Sequence, residues 1–184
     1  MTNCRRSDTA LFELSKKVDT INTNLYKQTD KKKIIYNNLC FTNNKRKLIN
    51  DILMKEFIKT KNVNDVVYHL QKDGEQSQNV SICRGMPVIS RYNNKKYDIV
   101  SNETFIIHKI IKGIVSLKSD DLFVEIQLNE FQKLFCVAFC ITVDKSQGST
   151  YDIPYVIHEW AKMNKNRRYT AVTRSTKLEN LFFA

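Results

Sequence analysis

The stretch Ala138–Asp152, AFCITVDKSQGSTYD, decides the fold. Its apolar part belongs to the run Phe135–Val143, which reads as one buried strand and leads straight into a turn of small and polar residues. In open α/β sheets, ligands bind just past the carboxyl ends of the strands. Lys145, Ser146 and Gln147 are therefore expected to be displayed at such an edge. Gly148, one of four glycines in the chain, allows a positive φ or a close backbone approach there. Taken alone, the stretch reads equally well as a surface loop.

The next informative segment is Arg167–Ser175, RRYTAVTRS, inside a basic helix expected over Lys165–Thr176. Tyr169 and Val172, with Ala171 beside them, form its expected inward face, and Arg174 is displayed at its end. An arginine at a helix end is, by itself, ordinarily solvated or ion-paired.

Outward from these two segments, Ser7–Val18 predicts a helix capped by Ser7, and Asp19–Lys33 a polar loop. Ile34–Phe41 predicts a buried strand, Thr42 and Asn43 a strand-to-helix turn, and Lys45–Lys59 a helix with Leu48, Ile49, Ile52, Leu53 and Phe57 on one face. Residues 60–80 are polar. From Ile82 to Leu128 the period changes to short β-rich runs (MPVIS, TFIIHKII, GIVSLK, LFVEIQL) broken by Asn, Gly and Asp turns, which predicts an antiparallel meander or small barrel. Ile153–His158 and Leu178–Phe183 predict two further strands. The resulting order, with helices alternating with strands and one β-rich interruption, is an α/β sheet with a small β-insert.

The chain has 184 residues, with 30 Lys and Arg against 19 Asp and Glu, for a net charge of +11. Such an excess favours a polyanionic partner, nucleic acid before an acidic membrane. No apolar run approaches the roughly 20 residues of a membrane span, and MTNCRRSDTALFEL has no signal-peptide core. Apolar residues at 42% suffice for a core. The five cysteines (Cys4, Cys40, Cys83, Cys136, Cys140) include no C-x-x-C pair, and the three histidines are dispersed. Reduced thiols packed as small hydrophobes, in a reducing intracellular compartment, are the expected reading, with no metal site.

TVDKSQGST followed by RRYTAVTRS resembles motifs V and VI of superfamily 1 helicases. Asn3–Asp8, NCRRSD, resembles motif IV, and Leu39–Asn50, LCFTNNKRKLIN, resembles the strand, Thr-Asn turn and helix of the RecD-like and Pif-type branch. CRGMPVISRYNN and the strands after it are similar to that branch's SH3-like insert. The resemblance implies the second, C-terminal RecA-like domain of a helicase motor: a parallel sheet with helices on both faces over residues 1–80 and 129–184, interrupted by an SH3-like β-insert over 81–128. With glycines only at 74, 85, 113 and 148, the sequence has no Walker A loop. It therefore looks like one half of a motor, whether as a fragment, a split gene product or a remnant. The Lys- and Asn-rich composition and the form NCRRSD are similar to helicases of large DNA viruses.

By this resemblance, Arg174 is the arginine finger and Arg6 a second cation on the γ-phosphate, with Arg5 the alternative if the register differs by one. Gln147 and Gly148 line the nucleotide cleft. Thr42, Asn43, Thr142, Lys145 and Ser146 meet single-stranded nucleic acid or couple it to the nucleotide. The implied cofactors are ATP and Mg2+, the metal being held by a separate Walker A/B domain, and the implied partners are that N-terminal domain and a single strand, DNA favoured over RNA. Asp144 stands where the RecD-like and Pif-type pattern has His, and resembles the Upf-type and nidoviral RNA-helicase branch instead. A non-catalytic nucleic-acid-binding or assembly module with the same fold is the competing reading.

Overall fold

The computed structural model describes residues 7–28, 33–62, 67–72, 78–120 and 122–184. Arg5 and Arg6 lie outside the described residues, as do Cys4, Lys31 and Lys32. In chain order the elements are α1 (Thr9–Lys16), β1 (Asn37–Cys40), α2 (Asn43–Lys59), β2 (Tyr68–Leu70), β3 (Val80–Ile82), β4 (Pro87–Ser90), β5 (Thr104–Ile111), β6 (Ile114–Lys118) and β7 (Phe123–Gln127). They continue with α3 (Phe131–Leu134), β8 (Phe135–Val137), β9 (Cys140–Thr142), β10 (Tyr155–Ile157), α4 (Lys165–Val172) and β11 (Leu181–Phe183). Two compact units result: one formed by the chain up to Arg46 together with Cys140–Ala184, the other by Lys47–Phe139.

The first unit is built on a four-stranded parallel sheet in the order β11-β10-β1-β9. Every residue of β9 and β10 is buried, which is why both read as short apolar runs without alternation. Leu39, Cys40, Cys140, Ile141, Tyr155 and Ile157 form the centre of its core. Helix α1 is capped by Asp8, not Ser7: the Asp8 carboxylate accepts from the Leu11 N–H at 2.7 Å. Helix α4 turns Ala171 and Val172 inward, whereas Tyr169, expected inside, is 52% exposed. Tyr169 lies two and three residues from that pair, so a helix carries it well round from Ala171.

The second unit holds a five-stranded antiparallel sheet in the order β7-β6-β5-β4-β8 and a β2-β3 ribbon. β7 alternates strictly between exposed and buried residues, and β5 does so until a register shift after Ile107. One face is therefore packed and one is open, as the alternation in the sequence requires. In its core Phe105 meets Phe135 edge-on and Phe131 stacks on Phe135, with ring centroids 5.5 and 5.9 Å apart. On α2, Ile49, Asn50 and Met54 are buried. Leu48 and Ile52 are half exposed, because they stand about half a turn from the buried row.

The apolar run Phe135–Val143 is two strands, not one. β8 pairs with β4 in the antiparallel sheet, and the Ala138 N–H still reaches the Pro87 carbonyl at 3.0 Å. β9 pairs with β1 in the parallel sheet. Only Ala138 and Phe139 separate them. Among the described residues, no helix is long and apolar enough to cross a membrane.

Candidate functional site

β9 ends at Thr142 and passes into a single 3-10 turn, Val143–Ser146. The buried Ser146 hydroxyl donates to the Val143 carbonyl at 2.7 Å and so closes the turn. Ser146 is thus part of the scaffold and not displayed as expected, and Thr142 is buried too. Gln147 and Gly148 are exposed, and Lys145 is partly exposed. Gly148 has φ of 90°, and a Cβ there would meet open space. Backbone torsion, and not crowding, is what calls for glycine.

Helix α4 delivers Arg174 to this turn. The helix starts where the Asn164 side chain accepts from the Arg167 N–H at 3.0 Å, a regular N-cap. At its other end, the buried Tyr155 hydroxyl shares its proton between the Ala171 and Val172 carbonyls at 2.7 and 3.2 Å. Beyond that end, the half-buried Arg174 guanidinium donates from Nε to the Thr170 carbonyl at 3.0 Å. From Nη1 it donates to the Ser146 and Ser149 carbonyls at 3.2 and 3.0 Å. The structure therefore lays Arg174 across the turn that carries Gln147 and Gly148. The Tyr151 N–H donates to the Arg174 carbonyl at 2.6 Å, and burial pushes the Tyr151 hydroxyl up to about 12 although Arg174 pulls it down. Asp8, two residues beyond Arg6 in sequence, is tied to the same neighbourhood: its N–H donates to the Thr176 carbonyl, and its carboxylate accepts from the Leu178 N–H, each at 2.9 Å.

At the same carboxyl end of the sheet, β1 ends and Thr42 caps α2, its hydroxyl oxygen accepting from the Lys45 N–H at 3.2 Å. That hydroxyl donates in turn to the carboxylate of Glu159, which also accepts from the N–H groups of Phe41 and Thr42 at 3.2 and 2.9 Å. Glu159 follows β10, has φ of 58°, and is 9% exposed in its side chain. Burial alone would raise its carboxyl, but the Lys162 ammonium at 2.9 Å and the Thr42 donors outweigh burial and hold it at about 2. Thr42 thus gives its proton to an internal acid, while Asn43 is exposed and accepts from Arg46 Nε at 3.2 Å. Next to Glu159, burial and the charge of Lys45 lower His158 to about 4. The His158 Nε2 lies 2.9 Å from Asn38 Oδ1, and the Asn38 amide nitrogen donates to the Ile35 carbonyl, so a neutral ring donates from Nε2.

Asp144, just beyond β9, grips Arg167 on α4: Nε lies 3.0 Å from Oδ1, and Nη2 lies 3.2 Å from Oδ2. The guanidinium carbon lies 5.2 Å from the centroid of the Phe41 ring. Neither Arg167, Phe41 nor Glu159 stands out in the sequence. Their only signal is position: Arg167 and Phe41 lie inside segments already marked, and Glu159 directly follows one.

Each guanidinium nitrogen of Arg174 is thus engaged by the protein itself, Nη2 reaching the Thr173 hydroxyl at 3.4 Å, while Gln147 and Gly148 on the same turn are exposed. Among the described residues, no cluster of His, Cys, Asp or Glu is placed to hold a metal ion. The four described cysteines form no disulfide, and three of them are buried.

The parallel sheet, the turn after β9 and the arginine after α4 make a RecA-like α/β architecture of the kind found in helicase motors. Among solved structures, the chain is similar to Bacteroides Pif1 bound to ssDNA, with a TM-score of 0.72 and 14% identity over 98% of this chain and 50% of that one. It is similar to Bacteroides Pif1 in complex with ADP-AlF3 and ssDNA, with a TM-score of 0.70 and 15% identity over 98% and 50%. Pif1 helicase from Candida albicans gives 0.64 and 13% over 96% and 53%. The chain spans about half the length of these structures. No protein-family model matches the sequence, and no curated protein matches it. These neighbours are bacterial and fungal proteins, so they lend no support to a viral source.

Proposed function

We propose that the chain is the C-terminal half of an ATP-dependent superfamily 1 helicase motor. The observation that carries this reading is Arg174 laid on the turn Ser146–Ser149. Phosphoryl transfer is catalysed mainly by positioning and by neutralising charge on the transferring group. Arg174 supplies a planar cation for the γ-phosphate, beside the Gln147 amide and the Gly148 backbone. By the resemblance of NCRRSD to motif IV, Arg6 is the second cation. The Walker lysine, the acids and Mg2+ belong to the other half of the motor, and this half alone hydrolyses ATP at background rate. Asn43 and Lys145 meet the phosphates of a single strand, DNA favoured over RNA, while Thr42, Thr142 and Ser146 hold the turns that present them. Sequence-independent phosphate contacts suit a motor that tracks along a strand. Thiols left out of disulfides suit a reducing intracellular compartment.

The test is reconstitution with a Walker A/B domain. Arg174→Ala is expected to lower ATP hydrolysis by about 10³-fold or more. Equal rates for both proteins overturn the arginine-finger assignment. A second reading, a non-catalytic nucleic-acid-binding or assembly module, draws on the donors that Arg174 already spends on Thr170, Ser146 and Ser149. Strand binding without any ATPase on reconstitution favours it.

A further inference from the structure

We propose that Arg167, pinned by Asp144 over the ring of Phe41, is a stacking platform for one base of a single-stranded nucleic acid. The inference rests on the single-strand reading of this sheet edge and names a base contact within it. Phe41 and Asp144 follow neighbouring parallel strands, whose register pairs Cys40 with Thr142, so both lie at the carboxyl end of the sheet where ligands bind. Arg167 arrives from the first turn of α4.

An exposed ion pair and a surface cation–π contact each contribute little to stability, so neither explains the arrangement as a fastening. Together they fix the plane of a long side chain that is otherwise free to rotate. Its ordering cost is thus met before any ligand arrives. The Arg167 side chain remains 36% exposed, and its Nη1 has no hydrogen-bond partner among the described residues. Asp144, 57% exposed, cancels the charge of the guanidinium. The pair therefore offers a phosphate little net attraction, and a carboxylate repels it at close range. What the pair offers is a flat, weakly hydrated cation, which stacks on aromatic planes. Nucleic-acid bases present such planes when they are unstacked, as in single strands and not within a duplex. Arg168, the next residue, is used differently: it is drawn onto Trp160 and Asp19 and is 20% exposed.

The experiment compares binding of the 184-residue chain to an oligothymidylate and to an abasic oligomer with the same phosphates. Arg167→Lys keeps the charge and loses the plane. It is expected to weaken oligothymidylate binding about tenfold and to leave abasic binding unchanged. Asp144→Asn unpins the fork and also frees its charge for phosphate, so it is expected to strengthen abasic binding while narrowing the advantage of oligothymidylate over the abasic oligomer, and that narrowed ratio is the second readout should Arg167→Lys melt early. Wild-type affinity of folded Arg167→Lys for oligothymidylate, an equal loss on both oligomers, or an unchanged ratio in Asp144→Asn overturns the platform and leaves the single-strand reading standing. Failure of the unsubstituted chain to bind either oligomer overturns both.

Discussion

Glu159 holds a left-handed backbone conformation that costs a non-glycine residue roughly 1–2 kcal/mol. It persists because its carboxylate satisfies the two N–H groups where β1 gives way to α2, together with the Thr42 hydroxyl. Glu159→Ala leaves these donors without that acceptor and is expected to lower unfolding stability by about 1–3 kcal/mol, read by urea denaturation. Glu159→Gln, keeping one acceptor oxygen, is expected to lose less. That Arg174 lies on the turn carrying Gln147 and Gly148 was foreseeable only because TVDKSQGST and RRYTAVTRS together resemble two motifs of one family; neither segment announces it alone. Glu159 was not, because its partner Thr42 lies 117 residues away and no local pattern announces the pair. For the same reason the sequence offered Thr42 to a phosphate, while the structure gives its proton to an acid.

At the scale of elements, α4 depends on its two ends. Asn164 starts it, and Tyr155 satisfies carbonyls that the end of a helix leaves open. Tyr155→Phe keeps the ring and removes the proton, so a loss of about 1–2 kcal/mol is expected in thermal or chemical unfolding. Because Arg174 begins just beyond that end, the same variant is expected to slow ATP hydrolysis in the reconstituted motor. The strands differ in how plainly they read. β7 announces itself by alternation, and β10 by an unbroken apolar run. β8 and β9 merged into one expectation because Ala138 and Phe139, which part them, are neither turn formers nor polar. The punctuation between two sheets was missing from the sequence, and only pairing partners supply it.

For the molecule as a whole, pH separates two of its buried groups. His158 is held at about 4 against an ordinary 6.5, so the unfolded chain takes up a proton between those values and the folded one does not. Stability is therefore expected to fall by about 2 kcal/mol from pH 7 to pH 5, and a His158→Gln variant is expected to lose less over that interval. Glu159, held at about 2, contributes stability that is complete above its ordinary 4.5 and fades only as the pH drops towards 2. Denaturant midpoints measured at pH 7, 5 and 3 resolve the two.

The parallel sheet also has a temporal consequence. Cys40 of β1 meets Ile141 of β9, which lies 101 positions further along the chain. Closing so wide a loop is slow, whereas the hairpins β5-β6 and β6-β7 join immediate neighbours. On a ribosome that releases the amino end first, the antiparallel sheet gains its last strand before β9 has emerged. β1 then waits, unpaired, for neighbours made about a hundred residues after it.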